Sequence, residues 1–446
     1  MHRLISALFA AIALYAGWSS DGAYGQVFRP TTFMLENGLQ VVLVEDHRAP
    51  IVHHMVWYKV GAADEQPGKT GVAHYLEHLM FKGTPNVPAG EFSRRVARVG
   101  GRDNAFTSYD YTGYFQTVAR DRLEMVMRME AERMASLQPK PGDAAPELQV
   151  VLQERLSRIE NSPSALFGEQ FDAVQYLSHA YGRPVIGWPQ EVARLTLEDA
   201  MDFYRAYYAP NNAILIVAGD VSPSELRGLA EKHYGLVPMR PVPARIRPQE
   251  PPQLAARRIS MADERVSQPS LRRTYLAPSR TSDAKQHAIP LTVLAEILSG
   301  PTGRLYAALV QGDGPAVSAS AWYSSVSLDP TTFGFGASPK TGRKLEEVEA
   351  GLDRVIAALL KDGVTEKELR EAKIVLRAEA VYARDSLTGA AQIFGQALTS
   401  GLSVDDVENW PRLVEAVTAE QVLEAAKYVF DLRKSVTGYL LPKEQS

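Results

Sequence analysis

The chain has 446 residues, of which 45% are hydrophobic and 22% are charged, and its formal net charge is -4. These values are typical of a globular protein of two or three domains, and the lack of a basic excess argues against a general nucleic-acid binder. The sequence has no cysteine. This excludes disulfides, thiolate metal sites and a cysteine nucleophile, so any metal must be bound by His, Asp or Glu.

The N-terminus has the pattern of an export signal. The apolar run Leu4–Trp18 has 15 residues, and small residues, Ala23 and Gly25 among them, follow it. This length suits a signal peptide and is short of the roughly 20 residues that a membrane span needs. We expect residues 1–25 to be a cleaved signal, the mature chain to start near Gln26, and no stable membrane insertion afterwards. The protein would then be exported, and periplasmic in a Gram-negative bacterium; an uncleaved anchor is the alternative.

The next part of the chain combines hairpin-like strands with helices. An Asn-Gly turn leads into an alternating strand in "LENGLQVVLVED" (35–46), and "IVHHMVWYKVGA" (51–62) predicts a second strand. Strands rich in Thr, Tyr and Phe follow in 100–119, and 120–137 predicts a helix behind them. This order indicates an α+β layer, a sheet with helices packed on one face.

The stretch "GVAHYLEHLMFKGT" (71–84) carries the strongest functional signal. Its Ala, Leu, Glu and Met residues favour a helix, which Gly83 can end. His74 and His78 are four residues apart and therefore share a face, and Glu77 flanks that face. The spacing H-x-x-E-H suits Zn²⁺ and is the inverted zincin signature. These could be ordinary helix residues, but ionisable groups on an apolar helix are costly unless they are paired or bind a metal.

Two histidines need a third protein ligand if a fourth position is to stay open for water. The segment "PELQVVLQERLSRIEN" predicts a helix with Pro146 as its first residue. Glu147 and Glu154 lie two turns apart on it, so Glu154 is a candidate ligand and Glu147 a candidate acceptor for a histidine N–H. Glu130 and Glu132 are competing carboxylates, whose simplest interpretation is a solvated helix face; these residues alone leave the choice open.

The other histidines are weaker candidates. His47 lies in a polar turn, while His53 and His54 are neighbours on a strand and so face opposite ways. Three more have no partner nearby in the sequence: His179, His233 and His287. A structural or surface role is the simplest expectation for all of them.

Two parts of the chain resemble one another. Residues 195–221 and 417–443 both show an acidic first turn, an amphipathic helix, a short polar break and a β-branched strand. Thr196 and Thr418 occupy equivalent positions at an offset of 222 residues. A repeat of this length indicates duplicated domains rather than a solenoid.

A proline-rich segment separates the two similar parts. Residues 238–253 contain six prolines, which can neither continue a helix nor donate hydrogen bonds within a sheet, so we expect an extended linker. The predicted organisation is a first domain at 26–237 with the metal motif, this linker, and a homologous domain at 254–446 without the motif.

These motifs together resemble the pitrilysin/insulinase family of zinc peptidases, especially the branch of mitochondrial processing peptidase and its bacterial relatives. The resemblance covers nearly all of the mature chain and includes "GVAHYLEHLMFKGT", "DNAFTSYDYTGYF", "ELQVVLQERL" and "YYAPNNAILIVAGDV". Glu154 follows His78 by 76 positions, the separation of the glutamate ligand in that family. The resemblance therefore selects Glu154, and it also matches Glu147 to a position beside the site.

The resemblance implies a pair of similar αβ-roll domains and a metal endopeptidase that acts on extended peptides inside a chamber. One Zn²⁺ would be bound by His74, His78 and Glu154, and Glu77 would act as general base and then proton donor. The peptide would add as a strand to a sheet edge, where Asn104 and Ala105 match the substrate-contacting positions.

One part of the family pattern is missing. An Arg and a Tyr seven residues apart complete such sites, and the matching positions here are Val310 and Val317, which offer no side-chain donor. Arg304 and Tyr306 match a different part of the pattern. We therefore expect a homologous partner chain to supply the pair, with a homodimer as the alternative. The second candidate function is an assembly subunit of little or no activity, and a non-peptide hydrolase has only the ligands in its favour.

Overall fold

The computed structural model describes residues 27–300 and 302–443, so the predicted signal peptide, residues 1–25, lies outside the described residues. Within that part the chain forms eleven strands and fifteen α-helices. The strands are β1 (Thr31–Met34), β2 (Gln40–Glu45), β3 (Ile51–Tyr58), β4 (Arg102–Thr107), β5 (Thr112–Ala119), β6 (Ala213–Gly219), β7 (Arg257–Asp263), β8 (Ser270–Ala277), β9 (Ala316–Tyr323), β10 (Thr331–Pro339) and β11 (Ser435–Pro442).

Helices α1–α8 belong to the first half of the chain and α9–α15 to the second. They are α1 (Val72–Leu79), α2 (Glu91–Arg98), α3 (Leu123–Ser136), α4 (Pro141–Arg155), α5 (Pro163–Gln175), α6 (Pro189–Val192), α7 (Leu197–Tyr207), α8 (Pro223–His233), α9 (Ala288–Leu298), α10 (Leu345–Asp362), α11 (Glu366–Arg384), α12 (Leu387–Thr399), α13 (Val404–Glu408), α14 (Trp410–Glu415) and α15 (Ala419–Val429). Five-residue π-helical turns follow α4 at Leu156–Glu160 and precede β9 at Tyr306–Val310.

The two sheets have the same topology. The first has the order β1-β2-β6-β3-β5-β4 and the second the order β7-β11-β8-β10-β9. Without β1 the orders coincide, and the corresponding pairs β2–β6 and β7–β11 are both parallel, while the other pairings are antiparallel. The N-cap residues that precede α7 and α15, Thr196 and Thr418, form equivalent capping boxes. The α+β fold of two similar sheet-and-helix halves is therefore confirmed.

Each sheet is covered by its own half on one face and by the other half on the opposite face. One face of the first sheet carries Val41, Leu43, Val56 and Leu215. It is covered by helices of the first half, namely α1, α3, α4, α7 and α8. The opposite face, with Trp57 at its centre, is covered by α12 from the second half. In return α5 of the first half packs through Phe167 and Phe171 on the outer face of the second sheet. This exchange makes the halves one packed body.

The proline-rich segment 238–253 has no helix or strand, as predicted, and it is bound along its length. Arg245 contacts Asp64 at 2.8 Å, and the buried guanidinium of Arg247 contacts Asp64, Asp110 and Asp329, the last on the second half at 2.8 Å. Such buried pairs are costly to break because each partner would be left uncompensated. The segment is therefore a fixed strap between the halves.

One local prediction about α4 is wrong. The helix begins at Pro141, whose missing N–H suits the first turn, and Pro146 lies inside it. The proline there removes only the hydrogen bond that would reach the carbonyl of Gly142, and the helix continues through it. Among the described residues, none of the helices combines the length and apolar character needed to cross a bilayer.

Candidate functional site

Helix α1 starts after a glycine, and the carboxylate of a residue six positions earlier caps it. Gly71 has a φ of 90°, and a Cβ there would lie 2.7 Å from the carbonyl oxygen of Ile186, so glycine suits the position. The buried Glu65 accepts hydrogen bonds from the backbone N–H groups of Gly71, at 3.0 Å, and Ala73, at 2.9 Å. Burial raises the pKa of Glu65 to about 8, against the opposing effect of these two donors. Glu65 thus fixes the start of the helix.

Three predicted ligands meet at one point. One ligand atom each of His74, His78 and Glu154 lies within 4.8 Å of the other two. The Nε2 atom of His78 is 3.2 Å from one carboxylate oxygen of Glu154, and the Nε2 atom of His74 is 3.8 Å from the other. Arg158, one turn after Glu154, contacts the same carboxylate at 2.7 Å. Side chains from two successive turns of α1 and from the end of α4 therefore surround a space large enough for one metal ion.

The two imidazoles differ in their surroundings. Burial, with a smaller effect from the neighbouring His78, lowers the pKa of His74 to about 3, so His74 is neutral and offers a nitrogen lone pair. Burial also opposes protonation of His78, but the hydrogen bond to Glu147 and the nearby Glu77 and Glu154 carboxylates raise the pKa of His78 overall. The negative charge around His78 is available to a cation.

Glu147 contacts the ring nitrogen of His78 that faces away from Glu154. Its Oε1 atom is 2.8 Å from Nδ1 of His78, and its other oxygen pairs with Lys82. Although burial opposes it, these two partners hold the pKa of Glu147 below its ordinary value. A charged acceptor on Nδ1 orients the ring and directs Nε2 towards Glu154.

Glu77 lies beside the ligands without joining them. Its side chain is 9% exposed, and its Oε2 atom accepts a hydrogen bond of 2.6 Å from the hydroxyl of Thr107. Burial raises the pKa of Glu77, against the opposing effect of Thr107 and His78. Such a carboxylate is a stronger proton acceptor than one on the surface.

Glu77 and the three predicted ligands line one open cavity of about 640 Å³. One wall is the edge of strand β4, where the consecutive residues Asn104, Ala105, Phe106 and Thr107 all line the cavity. Because β4 is the last strand of its sheet in the described part of the chain, the cavity runs along a sheet edge whose backbone groups can pair with another strand. The remaining wall is formed by Ile159, Ala165, Gly168, Glu169, Asp172, Pro184, Val185 and Ile186.

The competing carboxylates lie elsewhere. Glu130 is fully buried and binds Arg133 and Gln116, so the expectation of a solvated face is wrong for it. Glu132 accepts hydrogen bonds from Thr84 and from the backbone of Asn86. Both therefore have structural partners of their own.

The other histidines also lie outside the ligand group. His53 and His54 contact different partners on β5, Thr117 and Gln116, as neighbours on a strand should. Partners distant in sequence serve the rest: Asp220 for His47, Asp329 for His179, Glu124 for His233 and the Tyr428 ring for His287.

Sequence reasoning missed two residues that contact the site's machinery. Glu65 lies six positions before Gly71, and its only local signal is an acidic residue ahead of a helix. Thr107 is 30 positions from Glu77, and nothing in its neighbourhood indicates that contact. Tertiary structure alone brings Thr107 to Glu77.

Comparison with known proteins assigns both halves of the chain to one family. The model described as "Insulinase (Peptidase family M16)" matches residues 40–187, and the model described as "Peptidase M16 inactive domain" matches residues 194–376. The zinc protease PqqE of Helicobacter pylori is 31% identical over 413 residues, which are 92% of this chain and 92% of that protein.

Solved structures of peptidases show a similar fold. The crystal structure of a protease from Helicobacter pylori is similar with a TM-score of 0.86 at 30% identity, covering 93% of this chain and 100% of that one. The periplasmic protease PqqL from Escherichia coli is similar in fold with a TM-score of 0.80 at 19% identity, and the match covers 94% of this chain but 48% of PqqL.

Proposed function

The chain belongs to the insulinase family of peptidases, M16, and we propose from this premise that it is a zinc-dependent endopeptidase hydrolysing extended peptides or unfolded segments. The observation that carries the proposal is the convergence of His74, His78 and Glu154, with Glu77 beside them, on a cavity bordered by a free strand edge.

The donor set fits one zinc ion per chain. Two imidazole nitrogens and a carboxylate oxygen are preferred zinc ligands, and three protein ligands are typical of catalytic sites. The neutral state of His74 and the acceptor that Glu147 offers to His78 suit metal binding. When bound, zinc supplies Lewis-acid polarisation of the scissile carbonyl and makes water a better nucleophile.

The chain's own residues supply substrate binding and proton transfer. A peptide pairs as an added strand along β4, where Asn104 and Ala105 contact it, so main-chain hydrogen bonds bind many sequences. Glu77 accepts a proton from the attacking water and later donates it to the leaving amine.

We propose that a second, homologous chain completes the site with an Arg/Tyr pair. Val317 is 57% exposed on the edge strand β9 and Val310 ends a helical turn, and neither can donate a side-chain hydrogen bond. PqqL, a single chain about twice as long, supports pairing of two such units. A homodimer is the alternative arrangement.

The second candidate function is an assembly subunit with little or no activity. The observation in its favour is that residues 194–376 match a model described as an inactive domain. The intact set of Glu77 and its neighbouring ligands in the first half favours the peptidase.

Export and domain organisation are parts of the proposal. The chain would lose residues 1–25 on export, to the periplasm in a Gram-negative bacterium, as the apolar run Leu4–Trp18 suggests. The peptidase domain would be 26–237 and the homologous domain 254–446, joined by the strap.

The test is a fluorogenic-peptide assay of the chain from Gln26 onward. Peptides of about 10–30 residues, long enough to pair along a strand, are offered with and without chelator. The chain is assayed alone and with the most similar homologous chain from the same genome. Cleavage that appears on mixing and disappears with chelator supports the two-chain peptidase. Chelator-sensitive cleavage by the chain alone overturns the partner requirement, and silence in every arm favours the assembly subunit.

A further inference from the structure

The last residue of the edge strand is bonded to the general base. Thr107 ends β4, and its hydroxyl donates to Oε2 of Glu77 over 2.6 Å. This distance is typical of a charge-assisted O–H···O⁻ hydrogen bond, which is stronger than a neutral one. Both side chains line the same cavity.

We propose that Thr107 is a positioning residue, through which the strand that pairs with the substrate sets the orientation of the Glu77 carboxylate. The inference rests on the proposed function and adds to it a residue that acts through Glu77. Binding a peptide along β4 and aligning the base then depend on one strand.

The hydrogen bond leaves Glu77 with one engaged and one free oxygen. Among the described residues, Oε2 has Thr107 as its partner, while Oε1 has none. The engaged oxygen restricts rotation of the carboxylate and therefore also the position of the free oxygen. A proton acceptor must be held close to the position that favours transfer.

The segment 62–65 makes hydrogen bonds to both elements that carry this hydrogen bond, β4 and α1. The backbone N–H groups of Ala62 and Ala63 donate to the carbonyls of Ser108 and Tyr109, each over 2.9 Å, and so fix the turn after Thr107. Three residues after Ala62 the same segment supplies Glu65, the cap of α1. The end of β4 and the start of the helix that carries Glu77 are therefore held by a single short segment.

Matched variants separate the hydroxyl from the shape of the side chain. Thr107→Val keeps the β-branched shape and strand preference but removes the donor. Thr107→Ser keeps the donor. Thr117→Val removes a hydroxyl from the same sheet, where Thr117 contacts His53 and lies outside the cavity, and so reports the general cost of such a change.

We expect Thr107→Val to lower kcat roughly 10- to 100-fold with KM within about twofold, since the lost hydrogen bond involves a charged group. Zinc content, measured on the purified protein, should stay at the wild-type value. Thr107→Ser should restore kcat to within about threefold, and Thr117→Val should leave kcat unchanged.

Two outcomes would overturn the inference: wild-type kcat in Thr107→Val, or an equal fall in Thr107→Ser. A loss of zinc in Thr107→Val would also contradict it, because the hydroxyl would then support the ligands rather than the base. Failure of the proposed function looks different, since the wild-type chain would then show no chelator-sensitive cleavage with or without its homologue.

Discussion

The two halves of the molecule place equivalent helices against equivalent sheets, but the side chains on one pair of these helices differ in polarity. Helix α1 follows β3 and α9 follows β8, and α4 and α11 pack on them respectively. Counted back from the last helical residue, "HYLEHL" of α1 corresponds to "VLAEIL" of α9. Val293 and Ile297 thus stand where His74 and His78 stand, and both are buried.

The difference shows that the fold does not need the polar group. The second half packs Val293 and Ile297 against Leu369, Ala372 and Leu376 in its core. The first half places ionisable side chains at the equivalent positions, where they are largely withdrawn from solvent, and this costs stability unless each is partnered. Its partners are Glu147 for His78 and Thr107 for Glu77. The second half folds the same helix without the two histidines, so a polar set maintained at this cost in α1 is better explained by function than by folding.

The largest effect in this comparison is expected for Glu77→Gln. Glutamine has nearly the same shape but accepts no proton, so cleavage should fall by roughly 100- to 10,000-fold. Zinc content should remain at the wild-type value because Glu77 is not among the three converging ligands. Peptide turnover and metal analysis on the same sample test this; unchanged turnover would remove Glu77 from the mechanism.

The next effect concerns the ligand that α4 is proposed to supply. Glu154→Ala removes one of three converging donors, and zinc affinity should fall by more than the roughly 10- to 100-fold typical of outer partners. Zinc titration against a competing chelator gives the affinity. Glu132→Ala is the matched control, since Glu132 binds Thr84. Equal zinc affinity of the Glu154→Ala protein and wild type would send the search for the third ligand elsewhere.

A smaller effect concerns the capped start of α1. The folded-state pKa of Glu65 is about 8, above its ordinary 4.5. Between these values the folded state holds a proton that the unfolded state has lost, so this group's contribution to the free energy of unfolding decreases as pH rises from about 4.5 to about 8. Glu65→Gln removes that dependence, and costs roughly 1 kcal/mol because one of the two oxygens that accept from Gly71 and Ala73 becomes an NH2 donor. Denaturant unfolding at pH 5 and pH 8 measures both; an identical pH dependence in variant and wild type would contradict the assignment.

Local patterns predict the parts of the molecule that depend on neighbours in sequence. The equivalent caps Thr196 and Thr418 indicate the duplication, and the four-residue spacing of His74 and His78 indicates a shared helix face. The family resemblance, rather than local pattern, chooses Glu154 over Glu130.

Contacts between distant segments carry no such pattern. The exchange of α5 and α12 between sheets depends on the complementary faces of two halves that are each incomplete alone. The binding of Arg247 to both halves turns an apparent linker into a strap, and a proline-rich composition does not reveal it. Thr107 reaches Glu77 only because β4 ends beside α1.

The smallest expected effect tests the comparison most directly. Glu296 stands in α9 where Glu77 stands in α1, and burial raises the pKa of both carboxyl groups, but no histidines of α9 flank Glu296. Glu296→Gln should leave zinc content and cleavage at wild-type values and change the free energy of unfolding by less than about 0.5 kcal/mol. Because the same substitution in α1 should abolish cleavage, the pair of variants measures how far the chemistry is confined to the first half. A fall in cleavage with Glu296→Gln would mean that the second half takes part in the reaction, and the division of roles between the halves would have to be given up.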